Sequence, residues 1–577
     1  MNTVSNPPTD IFYRRWPELT GSENRAVVLL HRGHEHSGRL QSLVDEFNLP
    51  QFTIFAWDAR GHGRTPGRRG AAPSAGAMVR DLDTFIRRTI VPQGIPMENI
   101  VVIGQSVGSL VAAAWVHDYA PKIRAMVLAA PAFKIKLYVP FARPALRLLC
   151  AAIGDMTLRS YVKAKWLTHD RARIRSFTSD PLITRKISAK LLLELDQMAA
   201  RVVADAAAII VPTQMLLSGS DFVVEKQPQL DFFEHLGSLL KEKHEFGGFY
   251  HDTLGEKDRR AAIGQARRFI LQSFQQPCEQ RSLLQADKDG ATRREFENLT
   301  RPLSPGSAAA LKFGALRTGI NFGGKLSTGL RLGLKTGFDS GSTLDYVYLN
   351  KPSGITPLGR LIDRLYLGSI GWRGIRVRKA HVEKLVSRAI DELRRRNAPV
   401  RFLDIAAGHG RYVLDALNGQ ASSVERILLR DWCADNVTQG RALISERSLT
   451  SIARFERGDA FDRDSIASIE PKPSIAIVSG LYELFPENAA VRQSLAGLSE
   501  AIPSGGYLVY SGQPWHPQLE LIARTLASHR GHQPWIMRRR TQAEMDQLVE
   551  TAGFEKIDQL TDDWGVFTVS LARRAAS

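Results

Sequence analysis

The chain reads as an α/β protein of two domains, and three observations carry that reading. A Gly-x-Ser-x-Gly pentapeptide, Gly104-Gln105-Ser106-Val107-Gly108, joins an apolar run at 100–103 to a helix-forming run at 109–115. A second strand–glycine loop–helix pattern spans 400–414 and opens a further series of apolar, β-like runs. The length, 577 residues, exceeds what one hydrophobic core organises.

In the first domain, 27–30 predicts a buried strand and 31–39 the loop after it. The pentapeptide predicts a tight strand-to-helix corner, where glycines leave room and the Ser106 hydroxyl is pushed outward. A serine hydroxyl needs a histidine base, and the histidine needs a carboxylate to fix its tautomer. Residues 211–221 read as a strand ending in a loop aspartate, Asp221. His251 follows roughly 30 residues later, in the serine–acid–histidine order of such sites. The bland alternatives are an N-cap role for Asp221, ahead of a helix over 225–240, and a solvated loop for His251. His244 is a weaker candidate because 241–244 reads as a charged helix end. The oxyanion requires two backbone donors, of which Val107 N–H is one.

The segment His31-Arg32-Gly33-His34-Glu35-His36-Ser37-Gly38-Arg39 resembles the His-Gly-x-x-Glu-His-Ser-Gly-Arg loop of the monoacylglycerol lipase and lysophospholipase branch of α/β-hydrolases. The turn Trp57-Asp58-Ala59-Arg60-Gly61-His62-Gly63 resembles another motif of that branch. The resemblance implies an α/β-hydrolase fold over 1–276, a helical lid over about 133–208 and Gly33 N–H as the second oxyanion donor. Arg32 departs from the family glycine, which points to a narrowed acyl passage or an anionic head group. The histidine-rich turns lack helical i, i+4 spacing and supporting cysteines, so no metal is expected. The lid interleaves apolar residues with bases. That pattern suits either contact with an acyl chain and an anionic interface, or ordinary helix packing.

Net charge is +18, and residues 311–379 hold twelve Lys and Arg against three Asp. That asymmetry favours a polyanion, and without a nucleic-acid module an anionic membrane surface is the expected partner, set against a merely solvated basic face. Three separated cysteines, Cys150, Cys278 and Cys433, fit a reducing cytoplasm. The first eight residues lack a secretory pattern, and no apolar run reaches membrane-spanning length. The expected location is therefore cytoplasmic, with peripheral contact at the inner face of the membrane. A polar, proline-bounded stretch over 277–306 reads as a linker. Residues 307–399 read as a basic, glycine-rich docking segment and helical lead-in, whose glycines argue against a stable isolated helix.

The second domain, 400–577, opens as the first βα unit of a Rossmann-like nucleotide fold. Ala406, Gly408 and Gly410 let a cofactor approach the backbone. Asp404 ends the first strand, Asp431 ends the second roughly 20 residues on, and Asp459 follows the third. This succession resembles class I S-adenosylmethionine-dependent methyltransferases. The resemblance implies S-adenosyl-L-methionine as cofactor, with Asp404 under its methionine part, Asp431 on the ribose and Asp459 on the adenine side. His409 sits in the cofactor loop without an assigned role. Tyr482, Glu483, Trp515 and His516 follow the fourth and fifth strands, where an acceptor belongs or where they simply form wall. The segment from 337 to 376 resembles part of a bacterial group that fuses this methyltransferase type behind an α/β-hydrolase.

The expectation is thus a bifunctional enzyme. Its serine hydrolase acts on acyl esters of monoacylglycerol or lysophospholipid type, and its second half is a methyltransferase. The alternative keeps the hydrolase and makes the second half a non-catalytic cofactor sensor or membrane-docking module.

Overall fold

The computed structural model describes residues 11–20, 24–275, 277, 280–417 and 421–576. The N-terminal residues read for a secretory pattern, and Cys278, lie outside the described residues. The chain divides into two compact units, Met1–Arg281 and Ser282–Ser577.

Unit 1 contains a seven-stranded sheet with order β1-β3-β2-β4-β5-β8-β9. Its strands are β1 (Tyr13–Trp16), β2 (Ala26–Leu30), β3 (Thr53–Trp57), β4 (Ile100–Gln105), β5 (Ala125–Ala129), β8 (Thr213–Ser218) and β9 (Lys241–Phe246). Only β1 runs antiparallel to its neighbour; the others pair in parallel. The central strands are buried along their whole length and largely apolar because helices cover both faces, as a parallel sheet requires. Between β5 and β8 lie a short antiparallel ribbon, β6 (Thr157–Arg159) with β7 (Lys186–Ser188), and helices that include Ala142–Ile153 and Ala189–Ala204.

Two local expectations are corrected in this unit. Residues 241–246 form edge strand β9 rather than a helix end, and a strand with one neighbour tolerates the charged alternation Lys-Glu-Lys-His-Glu. The helix expected over 225–240 is shorter, Gln227–His235, and Asp221 caps none of it.

Unit 2 contains a second seven-stranded sheet, order β12-β11-β10-β13-β14-β16-β15. The strands are β10 (Arg401–Asp404), β11 (Arg426–Asp431), β12 (Ala453–Arg457), β13 (Ile475–Val478), β14 (Tyr507–Gly512), β15 (Phe554–Thr561) and β16 (Thr568–Arg574). The first five are parallel, and β16 inserts antiparallel between β14 and β15. Apolar clusters again fill both faces.

The stretch expected to be a linker is folded into this unit from Ser282 onward. Leu283 N–H donates to Gln547 Oε1 at 2.6 Å, Asp287 accepts from Asn488 N at 2.9 Å, and Ala291–Thr300 is a helix. The glycine-rich segment is helical too, as Ala308–Leu326 and Thr328–Thr336. A Cβ on Gly323 would come within 2.8 Å of Leu330, and one on Gly324 within 2.4 Å of Leu334. These glycines are close-approach points between two helices, so tertiary packing offsets their poor propensity.

Asp363, in the helix Pro357–Leu367, ties this region together. Its carboxylate accepts from Ser327 Oγ (2.5 Å), Gly329 N (2.7 Å), Tyr346 Oη (2.5 Å) and Ser353 N (2.9 Å). Truncation to alanine strands four buried or half-buried donors. Asp363→Ala is therefore expected to destabilise unit 2 by about 3 kcal/mol or more, read as a lowered thermal midpoint by circular dichroism.

Candidate active sites

In unit 1 the strand order reverses between β2 and β4, leaving a crevice at their carboxyl ends where ligands of such sheets bind. Ser106 sits there with φ +52° and ψ −111°, a conformation seldom adopted by a residue with a side chain. The corner is held by Ser106 N donating to Ala129 O, and by Leu110 N and Ala132 N donating to Ser106 O. The flanking glycines are required. A Cβ at Gly104 would lie 2.5 Å from Ser109 Cα, and one at Gly108 would lie 2.5 Å from Leu30 O.

The three predicted side chains meet. His251 Nε2 is 2.7 Å from Ser106 Oγ, and His251 Nδ1 is 2.7 Å from Asp221 Oδ2. The other Asp221 oxygen accepts from Val223 N at 2.7 Å and Val224 N at 3.0 Å. Burial alone would raise the Asp221 pKa. The His251 charge, its hydrogen bond and the two N–H donors outweigh that and hold it below the usual carboxylate value. His244 lies on β9, near Glu242, away from this cluster. Val107 opens the helix Val107–Tyr119, so its N–H lies in the first turn, where no helical carbonyl reaches it. Gly33 adjoins it, since a Cβ there would lie 3.2 Å from Val107 Cγ2. Ser106, His251, Gly33 and Val107 share one cavity of about 820 Å³, whose remaining wall is largely apolar and comes mostly from 135–195, with Trp57, Met78, Val111 and Val223 among the rest.

The loop after β2 is rigidly built. His31 Nδ1 donates to Arg32 O (2.7 Å) while Nε2 accepts from Ala59 N (2.9 Å), so a neutral imidazole joins the two histidine-containing turns. Burial lowers its pKa accordingly. Arg32 is committed to neighbours: Nε and Nη2 lie 2.8 Å from the two Glu35 oxygens, and Asp252 Oδ2 is 3.5 Å away. Asp252 also receives Arg173, and Glu35 receives Arg39. These buried ion pairs bind the loop carrying Gly33 to the loop carrying His251. Spacing gave no sign of Arg173 or Asp252; the adjacency of Asp252 to His251 was the one available hint.

In unit 2 the order reverses between β10 and β13. Asp404 is fully buried at the end of β10, accepting from Tyr412 Oη at 2.5 Å and Ala406 N at 3.1 Å. Burial, with a smaller contribution from the Asp431 charge, raises its pKa to about 7. Asp431, at the end of β11, accepts from Gly408 N (2.9 Å), Cys433 N (2.8 Å) and Asn436 Nδ2 (3.0 Å). Gly408 and Gly410 adopt φ of +58° and +74°. A Cβ on Gly410 would strike Leu429 Cδ1 at 2.4 Å, whereas one on Gly408 would meet nothing nearer than 3.9 Å. Gly408 therefore leaves open space beside the backbone, as a cradle for a ligand would. Asp459 is exposed and accepts from Phe461 N at 2.9 Å. His409 Nδ1 meets Asp345 Oδ2 at 3.1 Å, which ties the loop after β10 to the preceding helices.

A second cavity, of about 300 Å³, lies at the carboxyl ends of β13 and β14 beneath those helices. Of the four residues expected near an acceptor, Glu483 and His516 line it. Tyr482 is buried with its hydroxyl 3.0 Å from Ser494 Oγ, and Trp515 lies under the Arg539 guanidinium. His516 Nδ1 accepts from Gln518 N at 3.1 Å, and burial lowers its pKa to about 4. Aromatic lining from Tyr366 and Trp372 was missed, because helices 308–395 were not expected to roof a site, and Trp535, in the stretch after the fifth parallel strand, was missed as well.

Comparison with known proteins agrees with this division. Residues 266–574 match the family described as "Putative methyltransferase". The chain belongs to this methyltransferase family. Residues 21–258 match the family described as "Serine aminopeptidase, S33", an α/β-hydrolase family, so the chain joins a hydrolase domain to a methyltransferase-family domain. YnbC of Escherichia coli (strain K12) is 51% identical over 566 residues, covering 98% of this chain and 97% of that protein. Phospholipase YtpA of Bacillus subtilis is 26% identical over 251 residues, covering 43% of this chain and 95% of that protein. The monoacylglycerol lipase of Mycolicibacterium smegmatis is 24% identical over 266 residues, covering 45% of this chain and 92% of that protein.

Elbow geometry yields a direct test. In Gly108→Ala the added carbon must displace the corner from Leu30, and misplacement of about 1 Å costs on the order of 10²-fold in rate. Ester turnover by the folded variant, its fold checked by circular dichroism, should fall by at least that factor.

Proposed function

We propose that unit 1 hydrolyses acyl esters of monoacylglycerol or lysophospholipid type, and that unit 2 transfers a methyl group from S-adenosyl-L-methionine. The hydrolytic reading rests above all on the unbroken relay from Ser106 Oγ through His251 to Asp221, with both contacts 2.7 Å, on the wall of a large apolar cavity. His251 Nε2 takes the serine proton as Oγ bonds to the ester carbon, then returns it to the leaving alcohol. Asp221 keeps Nδ1 protonated and stabilises the imidazolium. The N–H groups of Gly33 and Val107 receive the developing oxyanion. Water repeats the sequence on the acyl-serine and releases a carboxylic acid. The lipid-type substrate is supported by the apolar cavity, by the family-like loops and by the names of the two partial relatives.

For unit 2, the ligand cradle and the carboxylates at three successive strand ends fit an adenosine cofactor carrying a cationic centre. Asp431 would hold the ribose, Asp459 would serve the adenine side, and Gly408 and Gly410 would flank the backbone path beside Ala406. Asp404 would lie beneath the methionine part. When bound, the cofactor supplies an electrophilic methyl group. The protein's task is then to align the acceptor and exclude water, for which the neighbouring roofed cavity is suited.

Two outcomes are expected. A fluorophosphonate probe should label the protein but not Ser106→Ala, and His251→Ala should lower ester kcat on the order of 10⁴–10⁶-fold. With a pKa near 7, Asp404 becomes neutral as pH falls, so a cation that prefers the carboxylate binds less well in acid. Calorimetric affinity for S-adenosyl-L-methionine should weaken about tenfold from pH 8 to pH 6. Asp404→Asn should flatten that slope, and absence of any binding would defeat the cofactor assignment.

A further inference from the structure

The helix Pro357–Leu367 is inside out. Its aspartate, Asp363, is buried among four donors, while Leu358, Leu361 and Leu365 point to solvent at 57%, 50% and 68% exposure. Their i, i+3, i+7 spacing places them on one face. Ile355, just before this helix, and Phe322, in the neighbouring helix Ala308–Leu326, are also exposed. Ile355 N donates to Leu326 O, one turn from Phe322, so the two helices present their apolar residues close together. The hydrophobic effect opposes such a display in water, yet the Asp363 bonds hold the helix in this orientation.

Charge on the same segment is one-sided. Between 308 and 367 the cations are Lys312, Arg317, Lys325, Arg331, Lys335, Lys351, Arg360 and Arg364, all exposed. Among the described residues none of them pairs with a carboxylate. The three carboxylates of the segment are turned inward: Asp339 to Ser528 and His529, Asp345 to His409 and Arg411, and Asp363 as above. An exposed leucine face on a segment whose exposed charges are all cations matches a bilayer bearing anionic head groups. A nucleic acid would leave the leucines without an apolar partner, and a second copy of the chain would oppose cation to cation.

We propose that helices 308–326 and 357–367 form a face that docks unit 2 on an anionic membrane surface, with Leu358, Leu361, Leu365 and Phe322 entering the interface and Lys325, Arg360 and Arg364 meeting lipid phosphates. The inference goes beyond the catalytic reading and does not depend on it.

The test is co-sedimentation of the full-length Ser106→Ala protein with vesicles of phosphatidylcholine alone, or mixed equally with phosphatidylglycerol, so that lipid hydrolysis plays no part. Binding to the mixed vesicles should be at least tenfold tighter and should weaken as salt rises. Leu361→Asp/Leu365→Asp should reduce it at least tenfold, and Arg360→Gln/Arg364→Gln roughly tenfold. Thermal midpoints of both variants should stay near that of the parent, since these side chains face solvent. The proposal is overturned by failure to sediment with mixed vesicles or by equal affinity for both vesicle types. It is overturned equally by unchanged binding in the folded leucine variant, by release of vesicles when duplex DNA is added, or by light scattering that shows a dimer closed through this face.

Discussion

A parallel sheet changes the direction of its strand order by sending the loops after two neighbouring strands to opposite sides, and both units place their candidate site residues in the crevice this leaves. In unit 1 the crevice lies beyond the paired ends of β2 and β4, where the loop with Gly33 and the corner with Ser106 face each other. In unit 2 it lies beyond the paired ends of β10 and β13, where β10 ends in Asp404 and is followed by the loop of Gly408.

What keeps the first opening in shape is charge taken out of water. Glu35 and Asp252 are buried, and each would be costly alone. Arg32, Arg39 and Arg173 compensate them, and the result is a short chain of ion pairs from the loop after β2 to the loop after β9. Such a chain contributes less to stability than to geometry. It fixes the separation between the proposed oxyanion donors and the imidazole, which a purely apolar contact would leave softer.

Much of this was legible in the sequence, for identifiable reasons. The Ser106 corner was visible because its glycines are sterically obligatory. The order of Ser106, Asp221 and His251 follows from where successive parallel strands end. The strand-end aspartates 404 and 431 were found the same way, and both lie at the crevice. The helices over 308–336 were not legible, because Gly323, Gly324 and Gly329 look like breakers until the partner helix that fills their space is known. Strand β9 was misread because an edge strand needs no apolar alternation. Tyr482 and Trp515 were near the right strand ends but point elsewhere, which spacing alone does not resolve.

Asp363 has one more consequence. It gathers hydroxyl and amide groups from the start of one helix, the middle of a second and the turn before its own. Those segments cannot shift separately without breaking a shared knot, so the roof over the second cavity behaves as a single slab. Any movement of the cavity wall on that side would therefore carry all of those ribs together.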